Sequence, residues 1–449
     1  MRLPIFRRWN NALLVTLLLV VAPAQNAARA DDSNTAVEDA LKLAASRQAP
    51  VIVDFYAPWC YSCYFMAKHV KTGPEWTALE KKAVIVELDA DSPAGARWMQ
   101  QWTVRGLPSY IVLDASGQEL GRIPLERTRA QFYPEIAAII ARGSDLDQRK
   151  RQVKDDGKAS LIAARSVLQA YAARADVDGA NDWLNTLPAA ARKAVDQDAD
   201  AALWQSRLAL RKASVAKDAA ACAAAAPAVL AGDLGCDRAY ELDRAMQCTA
   251  SLPAGEQQKL YAAQQPVMNA LLAKRVFIAT PSCADARSLI TTTADLAATL
   301  GDTKREAAVL EQAIADAERR LGGAKKLDLK RDRNLADNLR LYLDLAKRYE
   351  ALDALFPKLI AAYPDDYVYA FRYGRNLIER GEPEKALPWL AQAAPKAYGL
   401  NRLTVAQYRA DALIKLGRRD EAKVVVAEAL KANGPFFPEQ VAKLKAAVA

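Results

Sequence analysis

Val51-Ile52-Val53-Asp54-Phe55-Tyr56-Ala57-Pro58-Trp59-Cys60-Tyr61-Ser62-Cys63 is the stretch whose reading decides the fold. Its first six residues are almost continuously apolar, the pattern of a central strand covered on both faces. Two cysteines then fall three residues apart at a predicted helix start, on one face and within reach of a short reversible disulfide. Cys60 has the better claim to be the nucleophile, because unpaired N–H groups and the positive end of the helix dipole favour thiolate there. Half a zinc site is the competing reading, but zinc needs two more ligands and the sequence has no second CxxC or CxxH. The pair therefore points to redox chemistry that needs neither metal nor cofactor.

The neighbouring segments alternate in character. Residues 35–47 carry Val37, Ala40, Leu41 and Ala44 at helical spacing. After the CxxC helix, predicted over 60–70, come a helical piece from Pro74 to Lys82, a second apolar strand over 83–88 and a helix over 93–102. Gly106-Leu107-Pro108 precedes two strands, 109–114 and 118–123, joined by a turn at Ala115-Ser116-Gly117, and a closing helix over 128–141. The order βα–βα–ββα predicts a mixed sheet with helices on both faces.

Strand, CxxC and Gly106-Leu107-Pro108, in that order, resemble the thioredoxin fold, most of all the soluble periplasmic thiol-disulfide interchange domains that pass electrons. The resemblance covers about residues 35–143. It implies Cys60 as attacking thiol, Cys63 as resolving thiol, Pro108 as a cis-proline facing the pair and Asp54 as the buried acid beneath it. A carboxylate in an apolar strand is costly unless paired or protonated, so Asp54 suits proton exchange with Cys63, though a purely structural acid is the alternative. Trp59, Tyr61 and Leu107 are candidate substrate contacts. The Tyr61-Ser62 dipeptide matches neither reducing nor oxidising relatives, and Ala67 stands where interchange domains carry a second acid, which leaves proton handling more dependent on Asp54. His69, about 900° of helix beyond Cys60, is expected on the opposite face as a surface or packing residue.

Residues 1–30 read as an export signal: Arg2, Arg7 and Arg8, an apolar run over 12–22, and Ala28-Arg29-Ala30 before a cleavage point after Ala30. The apolar run is too short for a spanning helix of about 20 residues. Export implies a periplasmic or otherwise oxidising compartment and a mature chain that is not an integral membrane protein. Losing four arginines lowers the formal charge from +9 to +5. That mild basicity, without a Lys/Arg stripe interleaved with aromatics, excludes a nucleic-acid binder. The basic run from Arg319 to Arg333, interrupted by Asp328 and Asp332, reads as a solvated connector.

From about residue 145 the composition turns to Ala, Leu, Lys, Arg, Asp and Glu, a helical mixture. Two segments match a helical-hairpin repeat: Tyr373 to Ala393 and Arg409 to Ala429, with Gly381 and Gly417 36 residues apart, near the period of about 34 of tetratricopeptide repeats. Such arrays bind protein or peptide on a concave surface, although fold alone does not give function. Cys222, Cys236, Cys248 and Cys283 suggest structural disulfides in any of three pairings.

The expected organisation is a leader over 1–30, an α/β thioredoxin-like domain over 31–145, a helical region with four cysteines over 146–335 and an all-α, repeat-like region over 336–449. The expected activity is thiol-disulfide exchange with protein or peptide disulfides, as reductase or isomerase, with a membrane electron donor as a further partner. The alternative is a binding or assembly scaffold, for example in cytochrome c maturation or envelope protein folding, with an accessory redox domain.

Overall fold

The computed structural model describes residues 35–143, 145–153 and 158–449; the leader and its cleavage point lie outside them. The strands are β1 (Val51–Tyr56), β2 (Val84–Asp89), β3 (Ser109–Leu113) and β4 (Glu119–Pro124). They form one sheet of order β2-β1-β3-β4. β1 runs parallel to β2, with Val53 opposite Val86, and antiparallel to β3, with Val53 opposite Ile111. α1 (Ala36–Arg47), α2 (Tyr61–Phe65, continued by a π turn over Met66–Val70), α3 (Gly73–Lys82), α4 (Pro93–Gln101) and α5 (Arg129–Arg142) cover the sheet.

Alternation along β1 divides its side chains between two cores. Val51, Val53 and Phe55 pack with Val37, Trp98 and Ile111 on one face, while Ile52 packs with Met66, Tyr110 and Phe132 on the other. Full burial of each large apolar side chain is worth about 1.5–3 kcal/mol, which anchors the strand end from which the CxxC segment leaves the sheet.

Every described element beyond residue 145 is a helix. The helix pairs Val368–Glu379 with Pro383–Ala393 and Gly399–Lys415 with Arg419–Asn433 are the two hairpins expected from the repeat. Their small residues are used for close approach: a Cβ on Gly374 would lie 2.6 Å from Leu390. One apolar cluster runs from Leu210 to Ala412. Packing continues through residue 335, because Leu329, Ala336 and Leu339 belong to the same core. Disulfides join Cys222 to Cys248 and Cys236 to Cys283, choosing one pairing of the three.

The basic run over 319–333 is not a solvated connector throughout. Arg333 is drawn inward, its guanidinium 4.3 Å from the rings of both Tyr64 and Tyr363 and ion-paired with Asp366. Cation–π contact with two tyrosines offsets the hydration it gives up.

Candidate active site

β1 ends at Tyr56, and the chain turns through Ala57-Pro58-Trp59 before α2 begins at Tyr61. Cys60 is the N-cap of α2, and Cys60 and Cys63 are joined by a disulfide with Cα atoms 5.2 Å apart. The Cys63 backbone N–H donates to Cys60 Sγ at 3.0 Å. An N–H aimed at sulfur favours the thiolate once the bond is reduced, because it satisfies negative charge with a fixed dipole. Leu107, Tyr56 and Ala90 pack against the pair, and the Leu107–Pro108 peptide bond is cis.

Asp54 lies on the sheet face of Ile52 and is 1% exposed. Burial raises its proton affinity, and the ammonium of Lys71, 2.5 Å away, opposes that rise. Lys71 also reaches Glu87 at 2.7 Å, so one lysine serves two carboxylates. The other Asp54 oxygen has no hydrogen-bond partner among the described residues. The sequence offered a signal for Lys71, since a buried acid needs a cation, but nothing to select it from the neighbouring lysines.

A second acid does stand near the pair, although Ala67 does not supply it. Glu126, just after β4, is buried; its carboxyl is pushed well above its ordinary range by burial and then by the Asp285 carboxylate, while Ser62 of the CxxC segment opposes the rise. Asp285 accepts hydrogen bonds from Tyr61 Oη at 3.1 Å and Tyr240 Oη at 2.8 Å. No motif marks Glu126 or Asp285, and their proximity comes only from tertiary packing.

The helical array covers this site. Arg372 Nη2 donates to the Trp59 carbonyl at 2.7 Å, and Asn334 Nδ2 donates to the Tyr61 carbonyl at 2.8 Å. The Arg287 guanidinium sits 3.6 Å from the Tyr61 ring. Arg287, Arg340 and Arg372 all pair with Asp337, which is fully buried and whose carboxyl is held far below the ordinary range by the three cations despite burial. The Leu400 N–H donates to the Asp91 carbonyl at 3.1 Å, while the Trp59 indole donates to the Asp91 carboxylate at 2.6 Å. His69 meets Asp332 at 2.7 Å and is thus also part of this contact. Cys60 is 4% exposed and Cys63 8%. Of the candidate substrate contacts, Trp59 meets the array through its carbonyl and keeps an exposed ring, while Tyr61 meets it through its carbonyl, hydroxyl and ring.

Among the described residues, no group of His, Cys, Asp and Glu could hold a metal, and no helix is long and apolar enough to cross a membrane.

Comparison with known proteins agrees with this geometry. A family model described as a thioredoxin-like domain matches residues 37–139. The thiol:disulfide interchange protein TxlA of Synechococcus elongatus is 27% identical over 133 residues, 29% of this chain and 67% of that protein. The thiol:disulfide interchange protein DsbD of Cronobacter sakazakii is 35% identical over 85 residues, 18% of this chain, and the match spans only 15% of that protein's length. A tetratricopeptide repeat protein from Parabacteroides merdae aligns with 64% of this chain and 98% of its own at 12% identity and a TM-score of 0.38. Sheet topology, the CxxC disulfide at a helix cap and the family match agree: residues 37–139 are a thioredoxin-like domain, followed by a large helical region.

Proposed function

We propose that this chain is a thiol-disulfide oxidoreductase acting on protein or peptide disulfides. The observation that carries the proposal is the Cys63 N–H aimed at Cys60 Sγ, beside the Leu107–Pro108 loop. With the pair reduced, Cys60 thiolate attacks one sulfur of the partner disulfide and expels the other as a thiolate, forming a mixed disulfide. Cys63, losing its proton to Asp54, attacks Cys60 Sγ and expels the second partner thiolate. The partner gains two electrons and the Cys60–Cys63 bond re-forms. Pro108 and Leu107 flank the partner chain, and an external dithiol or a membrane donor re-reduces the pair. Because the array grips the carbonyls of Trp59 and Tyr61, partner entry and array release are one event, after which Trp59 and Tyr61 are free to meet the partner.

Export to an oxidising compartment fits the leader and the two further disulfides. We read the direction as reduction or isomerisation, a reading that the similarity to interchange proteins supports.

The test is dithiol-dependent insulin reduction by the full chain, with a Cys63→Ala form used to trap partners covalently through Cys60. Turnover that disappears in Cys60→Ala, together with trapped mixed disulfides, supports the reading; neither turnover nor trapping sinks it. A second reading, an assembly scaffold with an accessory redox domain, is favoured by the burial of the pair. It predicts partner binding that persists unchanged in Cys60→Ala.

A further inference from the structure

A cavity of about 510 Å³ lies away from the disulfide, between the thioredoxin-like domain and the first helices of the array. Val104, Gly106 and Ser109, on either side of the Leu107–Pro108 bond, form part of one wall; α5 and the helices Lys158–Arg174 and Ala199–Val215 form others. Its volume falls in the range of small-molecule sites, about 300–1,000 Å³.

The charge of the lining is lopsided. Nine arginines and three acids line it. The three acids are already engaged: Glu135 with Arg127, Asp237 with Arg207, and Glu241 with Arg207 and Arg244. Arg122 and Arg174 share Glu119. Among the described residues, Arg105, Arg142, Arg149 and Arg211 have no carboxylate at ion-pair distance. Arg142 and Arg149 converge instead on one neutral hydroxyl, Ser166 Oγ, at 2.6 and 3.0 Å. Arg211 donates to the Ala172 carbonyl at 2.7 Å.

Arg149 is the group that makes this unusual, because it is 4% exposed and an arginine is seldom buried unpaired. Its other acceptors are the main-chain carbonyls of Asp145, Ser166 and Leu120. Burial, and then the neighbouring Arg142 and Arg174, lower its proton affinity to about 10. Like charges collected around a void raise the free energy of the empty state, and an anion entering it removes that cost while gaining bidentate guanidinium contacts. The walls are not polar throughout: Leu125, Ile139, Trp204 and Leu208 line the same space.

We propose that this cavity binds a small organic anion carrying two or more carboxylates on an apolar body, held by Arg149, Arg142 and Arg211. This assignment is independent of the redox reading, since none of these residues touches the cysteine pair. Because Gly106 and Ser109 belong to both the cavity wall and the Leu107–Pro108 loop, a ligand here touches the segment that flanks the disulfide.

The experiment is calorimetric titration of the full-length oxidised protein with propane-1,2,3-tricarboxylate, alongside its neutral triamide, acetate at matched ionic strength, and pyrophosphate. Saturable binding of the tricarboxylate, at least tenfold tighter than acetate or pyrophosphate and absent for the triamide, is the expected result. Arg211→Gln, at a partly exposed position that leaves Arg149 in place, should weaken it at least tenfold, and Arg149→Gln by more. If Arg149→Gln does not fold, Arg211→Gln and Arg142→Gln decide the matter. No saturable binding up to about 10 mM overturns the proposal, as does equal binding of pyrophosphate or binding unchanged in both exposed-side variants.

Discussion

Removing the Arg372 guanidinium should open the cover over the cysteine pair. Arg372 makes two contacts that matter, one to the Trp59 carbonyl at 2.7 Å and one to Asp337. Arg372→Ala does not strand Asp337, which keeps Arg287 at 2.5 Å and Arg340 at 3.0 Å. The change therefore weakens docking rather than burying an uncompensated charge. A hydrogen bond to a charged group is worth about 1.5–3 kcal/mol. At about 1.4 kcal/mol per tenfold, the population in which the array has lifted rises about 10- to 100-fold. Alkylation of the reduced pair by a bulky maleimide, followed by peptide mass spectrometry, reads that population directly when reclosure outpaces the reaction. Asn334→Ala removes a neutral bond to the Tyr61 carbonyl and should accelerate alkylation less, by about 3- to 10-fold. The double variant should show roughly the product, since both act on one opening. An Arg372→Ala protein with unchanged thermal stability, alkylated within about twofold of the parent rate, would refute the idea that these contacts gate the pair.

Lys71→Met removes the only cation paired with Asp54 among the described residues, and with it the interaction that holds the carboxyl's proton affinity down against burial. The Asp54-dependent limb of the insulin-reduction rate profile should consequently move to higher pH, and an unmoved limb would separate Asp54 from proton transfer. Gly399→Ala places a Cβ 1.9 Å from the Asp91 carbonyl at a φ of +53°, which the docked chain cannot accommodate. Loss of the Leu400–Asp91 bond should lower stability by roughly 1–3 kcal/mol in chemical denaturation and raise maleimide reactivity at the pair.

The thioredoxin-like domain was legible in the sequence because its information is local. β1 is almost continuously apolar, α4 starts at Ser92-Pro93, and CxxC and Gly106-Leu107-Pro108 sit at the ends of elements that periodicity alone delimits. The hairpins after residue 368 were legible for a similar reason, since Gly374, Gly381 and their counterparts repeat. The cover over the site was not. Tyr61 meets Asp285 across 224 residues and Trp59 meets Arg372 across 313, and neither partner differs in type or spacing from dozens of other acids and arginines. Arg333 shows the limit most plainly: within a basic run a solvated cation is the ordinary expectation, and the arrival of Tyr64, Tyr363 and Asp366 reverses it. Disulfide pairing likewise depends on which helices lie side by side, which four cysteine positions do not encode.

The Cys236–Cys283 bond has a further consequence. Cys283 is two residues from Asp285, and Cys236 is four from Tyr240, so the covalent tie lies at the root of the acid and phenol that meet Tyr61. The environment of the exchanging pair is thus conditioned on an oxidation completed elsewhere in the same chain. A reductant strong enough to break both bonds would change the surroundings of Cys60 and Cys63 along with their oxidation state, so that the potential of the pair belongs to the whole chain and not to the thioredoxin-like domain in isolation.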